Sequence, residues 1–275
     1  MSSFEVSLFA GRYESQSVIG EGGTGIVYEA YDRELDDVVA IKTLRREVLS
    51  MDPSLVDRFK QEIRLARRVT HPNVLRTHDL GESNGLKFLS MELVKGRTLK
   101  QLIETGPILP TPAGLHIAKQ ICAGLAAAHE VGVIHRDVKS QNILIDPRGG
   151  LKILDFGIAR LTEDRERTAT GTPDYMSPEQ TRGLPLDCRS DIYSTGVVLY
   201  EVFTGSLPFE GDSTLAVVLK HVHEVPPLPH SKNPWIEPRI EAILMKCLEK
   251  DPGARFQTMG ELYDALAKVT VRQAA

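Results

Sequence analysis

Asp137, Lys139 and Asn142 fall within one short polar stretch, His135-Arg136-Asp137-Val138-Lys139-Ser140-Gln141-Asn142, and Asp155-Phe156-Gly157 follows a little further on. Carboxylate and amide oxygens suit a hard cation such as Mg²⁺ carrying a phosphate. Asp137 can accept or orient a hydroxyl proton, while Lys139 offsets negative charge on a phosphoryl group. His135 reads as a core histidine, not a catalyst. These groups meet only if the chain doubles back between them. The apolar runs 142–145 and 151–154 flank Asp146-Pro147-Arg148-Gly149-Gly150, which predicts a hairpin. It would set Asp137 and Asn142 on one side of the ribbon and Asp155 at the end of its second strand.

Two further patterns point to phosphate. Gly20-Glu21-Gly22-Gly23-Thr24-Gly25 precedes Ile26-Val27-Tyr28-Glu29-Ala30-Tyr31, which alternates like a strand. A dinucleotide fold would need a helix there, so the glycines read as a flap whose backbone N–H groups lie over phosphates. Val39-Ala40-Ile41-Lys42 puts a lysine in an apolar strand. Glu62 falls on the apolar face of a predicted helix that Asp52 would cap, with Pro53 at its first position. An inward anion needs a cation, and Lys42 is the partner the pattern offers.

These residues need a scaffold. Strands are predicted at 13–19, 26–31, 38–44, 74–80 and 87–92, with the one helix between them. From about residue 96 the pattern turns helical: 99–104, 112–131, 191–203, 213–223, 238–249 and 259–269. The 191–203 segment is apolar nearly all round, with Ser190 or Asp191 as cap and Gly205 as stop, so it reads as a central buried helix.

At 275 residues and 41% hydrophobic content the chain can bury a large core. A formal net charge of -4 and a pI of about 6.1 offer no basic field for nucleic acid or anionic lipid. Cys122, Cys188 and Cys247 are dispersed and odd in number, which predicts reduced thiols and neither a disulfide framework nor a zinc site. No stretch is apolar for long enough to span a bilayer. A cytoplasmic location is expected.

In order and spacing, the glycine-rich loop with Val27, Val39-Ala40-Ile41-Lys42, Glu62, His135-Arg136-Asp137 through Asn142, Asp155-Phe156-Gly157 and Ser177-Pro178-Glu179 resemble the eukaryotic-like (Hanks-type) serine/threonine protein kinases, in bacterial style, over 12–270. The resemblance implies an α+β, bilobal protein kinase fold. A small antiparallel N-lobe with one main helix would cover 12–91 after an extension at 1–11, with a hinge at 92–96 and a mostly helical C-lobe at 97–275. Lys42, Asp137 and Asp155 are all present, against a catalytically silent scaffold. The 171–179 segment and the helices after it argue against a small-molecule kinase.

By the same resemblance, Ile19, Gly20, Glu21, Gly22, Gly23 and Gly25 would cover ATP, and Val27, Ala40 and Leu144 would sandwich its adenine. Met91 would be the gatekeeper before hinge residues Glu92, Leu93 and Val94. Lys42, backed by Glu62, would contact the α- and β-phosphates. Asn142 and Asp155 would hold Mg²⁺, with Mn²⁺ as the alternative, and Asp137 would be the catalytic base beside Lys139. Lys139 and Thr172 resemble the serine/threonine class, so the substrates would be proteins with Ser/Thr acceptors. Glu179 would pair with Arg255, and Asp191 would brace the catalytic loop. Ser177 replaces the more usual alanine, a change expected to be without consequence.

Arg136 before the catalytic aspartate implies a switch by activation-loop phosphorylation, in a transient homodimer for autophosphorylation. Thr168 is the first candidate, Thr170 the second and Thr162 the weakest, with phosphate bridging Arg136 and Arg160. Glu201 is either a determinant for basic residues near the target hydroxyl or a structural carboxylate. His221 and His223 read as surface residues without a role.

Overall fold

Antiparallel strand pairing builds the first layer of the molecule. The computed structural model describes residues 7–22, 25–44, 63–64, 66–156 and 173–270. An antiparallel sheet runs β1 (Leu8–Phe9), β2 (Tyr13–Gly22), β3 (Gly25–Asp32), β4 (Asp37–Leu44), β6 (Leu86–Glu92), β5 (Thr77–Ser83) in spatial order. On β4, Val39 and Ile41 pack with Phe9, Tyr13, Ala30 and Phe88 on one face, whereas Ala40 packs with Ile63, Leu89 and Met91 on the other. Period-two alternation therefore turns Lys42 to the same face as Ala40.

The sheet also takes in part of the segment read as an N-terminal extension, since Leu8 pairs with Glu14 and Phe9 with Tyr13. Phe9 is buried against Tyr28 and Phe88. A two-residue strand is too short for periodicity to reveal. Ile63, Arg64 and Ala66 are helical, in the span where a helix was expected. Asp52, Pro53 and Glu62 lie outside the described residues.

Glu92 ends β6 and leads through 93–96 to β7 (Arg97–Thr98), which opens a second sheet of order β7-β8-β9. Strands β8 (Ile143–Ile145) and β9 (Leu151–Ile153) form the expected hairpin. Asp146 closes its turn, accepting from the N–H groups of Arg148 at 2.7 Å and Gly150 at 2.9 Å. Asn73 ties the two sheets' surroundings together, donating to Gln120 at 2.9 Å and to the Leu151 carbonyl at 3.0 Å.

The remaining helices are α1 (Leu99–Thr105), α2 (Thr111–Glu130), α3 (Pro178–Thr181), α4 (Cys188–Thr204), α5 (Thr214–His223), α6 (Pro238–Cys247) and α7 (Met259–Ala267). Helix α4 is the expected central element, buried from Ser190 to Thr204. It begins a turn earlier than expected, because Asp187 is the N-cap and accepts from the Arg189 N–H. That start places Asp191 in the first turn, with its carboxylate near the helix's positive end. Gly205 stops the helix in the left-handed conformation, φ 75°. Gly196 lets α4 approach α6, since a Cβ there would lie 2.5 Å from that of Cys247.

Candidate active site

The loop at 135–142 hangs from Asp191. Its Oδ2 accepts from the His135 N–H at 2.8 Å and its Oδ1 from the Arg136 N–H at 2.8 Å, while His129 Nε2 lies 2.7 Å from Oδ2. Burial is the largest single influence and would raise this carboxyl, but the hydrogen bonds and charges of His129 and His135 together hold the group below the usual carboxylate range. His135 is fully buried, as expected of a core histidine, and its Nε2 donates to the Leu154 carbonyl at 2.7 Å. Its Nδ1 accepts from the Asp137 N–H at 3.2 Å. Arg136 is held left-handed, φ 69°, a conformation that costs a non-glycine residue about 1–3 kcal/mol and persists only when neighbours impose it.

That backbone presents Asp137 to the cleft. Lys139 Nζ and Asn142 Nδ2 reach its Oδ2 at 2.7 and 2.9 Å, and Asn142 also donates to the Asp137 carbonyl at 2.9 Å. The result is a partly exposed carboxylate with a cation and an amide fixing one oxygen. Asp155 follows β9, left-handed at φ 57°, and its Oδ1 accepts from Lys42 Nζ at 2.7 Å. Burial pushes the Asp155 carboxyl up, and Lys42 more than reverses this, so the group stays ionised. Phe156 turns into the interior against the His135 ring, centroids 4.5 Å apart.

Val27, Ala40 and Met91 belong to one apolar cluster of the first sheet, and Leu144 lies on β8 of the second. Ile19, Gly20 and Glu21 lie on β2 and Gly25 opens β3; Gly22 ends β2. Glu92 is pinned, its Oε1 accepting from the Arg76 N–H and from Lys152 Nζ, both at 2.7 Å. Val94 is half-buried in the connection that follows. Gly23, Glu62, Gly157, Arg160, Thr162, Thr168, Thr170 and Thr172 lie outside the described residues.

Beyond the loop, Tyr175 donates to Glu201 Oε2 at 2.7 Å, Ser140 Oγ lies 2.8 Å from the Tyr175 hydroxyl, and Lys100 Nζ reaches Glu201 Oε1 at 2.8 Å. Both Glu201 oxygens are thus engaged and the residue is buried, which favours the structural reading of this carboxylate. Burial would lower the Lys100 ammonium, and Glu201 outweighs it. Glu179 pairs with Arg255 in a bidentate contact of 2.7 and 2.9 Å.

Two expectations fail against this geometry. His221 is buried, not a surface residue: its ring packs on Phe209 and its Nδ1 lies 2.9 Å from the Tyr193 hydroxyl. Burial, helped by nearby Lys250, pushes it down to about 4. Only His223 is exposed. Ser177 is not an inert substitute for alanine. Its Oγ accepts from the Gln180 N–H at 3.3 Å, Gln180 Oε1 accepts from the Ser177 N–H at 2.9 Å, and Gln180 Nε2 donates to the Arg136 carbonyl at 2.6 Å. Sequence reading passes over Gln180, Lys100 and His129. The Ser-x-x-Gln signature of a capping box is legible at 177–180; nothing local marks the other two.

In sequence and fold the chain is similar to known proteins. The protein kinase domain model matches residues 13–265. The chain is 42% identical over 274 residues to serine/threonine-protein kinase PknB of Mycolicibacterium smegmatis, covering 96% of this chain and 44% of that protein. It is 41% identical over 262 residues to a probable serine/threonine-protein kinase of Streptomyces coelicolor, covering 92% and 39%. It thus spans less than half the length of these curated relatives. In fold it is similar to the crystallised PknI kinase domain of Mycobacterium tuberculosis, with TM-score 0.79, 27% identity and coverage of 98% of this chain and 99% of that one. With a family model over nearly all its length and a catalytic loop braced as described, the chain belongs to the protein kinase domain family, in its bacterial serine/threonine branch.

Proposed function

We propose that this domain is a working phosphotransferase that moves the γ-phosphoryl group of ATP, with Mg²⁺, to Ser and Thr hydroxyls of protein substrates. The observation that carries the reading is the Asp137 carboxylate, partly exposed and steered by Lys139 and Asn142. Asp137 would orient the acceptor hydroxyl and take its proton, while Lys139 offsets charge developing on the transferred group. Val27, Ala40, Met91 and Leu144 supply apolar walls for adenine, and Lys42 an ammonium for phosphate oxygens. Asn142 and Asp155 fit a hard cation: the Asn142 amide nitrogen is spent on Asp137, which leaves the amide oxygen as its donor to metal. Bound there, Mg²⁺ would neutralise charge on the phosphates; Mn²⁺ would satisfy the same oxygens.

Among the described residues no helix is long and apolar enough to cross a membrane; the proteins acted on would be cytoplasmic. Autophosphorylation of Thr168, with Thr170 as the second site, in a transient homodimer would place a phosphate within reach of Arg136 and Arg160 and order the segment. The test is transfer from labelled ATP with Mg²⁺ and mapping of the modified threonines. Asp137→Asn should lower incorporation by about 10²–10⁴-fold at an unchanged melting temperature. Equal incorporation by both proteins removes the assignment, and a 157–172 segment free of phosphate after incubation removes the switch.

A further inference from the structure

The carbonyl of Arg136 and the N–H of Asp137 belong to one peptide group, and a peptide group is planar. Whatever holds those two atoms sets the plane from which the Asp137 side chain departs. The N–H is held by the His135 ring at 3.2 Å, and the carbonyl by Gln180 Nε2 at 2.6 Å. The preceding peptide is held at the Arg136 N–H by Asp191, at 2.8 Å. Two clamped planes fix the left-handed φ of 69° between them. Of these three holds, that from Gln180 alone comes from outside both the loop and the central helix.

Gln180 is itself fixed. It occupies the third position of α3, where its backbone N–H binds the buried Ser177 hydroxyl and its side-chain oxygen accepts from the Ser177 N–H at 2.9 Å. With the oxygen so occupied, the amide nitrogen can only turn toward Arg136. Ser177 directly follows the 173–176 segment whose Tyr175 bonds Ser140 and Glu201, so the box joins that segment to the catalytic loop.

We propose that Gln180, set by Ser177, is a positioning residue for Asp137, and that the pair couples the seating of the 173–176 segment to the aim of the catalytic carboxylate. The idea rests on the phosphotransfer reading above. Gln180→Glu is the discriminating variant: glutamate serves equally well in a capping box and keeps the acceptor for Ser177, but it brings no N–H to the Arg136 carbonyl. Relative to wild type, kcat should fall about tenfold, the rate equivalent of about 1.4 kcal/mol, with KM for ATP and the melting temperature unchanged. Amide hydrogen exchange at Arg136 and Asp137 should quicken, whether or not turnover is observed. Ser177→Ala, which keeps the backbone N–H that holds the Gln180 side chain but loses the hydroxyl that caps the Gln180 N–H, should show a smaller fall in kcat.

An unchanged kcat in Gln180→Glu, beside an active wild type and an inactive Asp137→Asn, overturns the proposal. A fall in melting temperature with unaltered exchange in the loop also overturns it, as the signature of a plain helix cap. Should wild type transfer no phosphate at all, the phosphotransfer reading fails. Exchange in the loop then decides the positioning role alone: faster exchange in the variant upholds it, and equal exchange overturns it.

Discussion

Lys42 and Asp155 meet across the cleft at 2.7 Å, and Arg255 and Glu179 meet inside the helical lobe at the same 2.7 Å, but their surroundings differ. The Arg255 side chain is 0% exposed, and its guanidinium also donates to the carbonyls of Arg189, Glu249 and Lys250 at 2.9, 2.8 and 3.2 Å. Glu179 takes a further bond from Ser190 at 2.7 Å. Burial would raise the Glu179 carboxyl, and Arg255 more than reverses this. Among the described residues Lys42 reaches Asp155 through one contact, and that carboxylate is 32% exposed on a left-handed residue. A pair whose hydrogen bonds are filled has nothing left to offer a ligand. A pair with spare valence at a cleft can exchange partners when phosphate and metal arrive.

Arg255→Met should destabilise the fold more than any change in the cleft, because it strands Glu179 in the interior; breaking a buried pair in this way costs about 3–5 kcal/mol. Thermal unfolding should move down by about 10 °C. A shift of only a degree or two would mean that the two pairs do not differ as described. Lys42→Met should do the reverse. Asp155 can be hydrated, so the melting temperature stays close to wild type, while phosphoryl transfer falls by about 10²–10³-fold, as when one preorganised electrostatic donor is removed. A Lys42→Met protein that unfolds as readily as Arg255→Met would erase the distinction.

The smallest effect concerns acid. His221 has an ordinary value of 6.5 and is pushed down to about 4 by burial and by Lys250. Below pH 6.5 the unfolded chain takes up a proton that the folded one refuses. Stability is therefore full above 6.5 and declines as pH falls toward 4, by about 3 kcal/mol over that window. Glu179 behaves differently. Its folded value lies below 4.5, so its contribution persists above 4.5 and is lost only as pH falls through that lower value. Urea denaturation from pH 7 to 4 should show a slope that His221→Gln flattens; an unchanged slope in His221→Gln would place the acid sensitivity elsewhere.

Much of the site can be read in the chain because it is written in local patterns. Alternation on β4 turns Lys42 inward, and Asp146 with Gly149 and Gly150 makes the hairpin that carries Asp155 back toward Asn142. His221 is misread from sequence because helical position alone does not say which neighbour covers a face; Phe209 and Tyr193 do, from other elements. Ser177 is misread for a related reason. Its capping box is visible in four consecutive residues, but the use of that box, a bond from Gln180 to Arg136, spans 44 positions.

By itself the sequence determined the class of chemistry and the chain order of the longer strands and helices. These follow from period, turn residues and spacing, which act over a few neighbours. Tertiary structure alone decided that Lys42 meets Asp155, that Lys100 and Tyr175 occupy Glu201, that His129 helps hold Asp191, and that Gln180 grips the peptide before Asp137. A hydrogen bond or ion pair forms with whichever group packing brings within about 3 Å, and packing is a property of the whole chain.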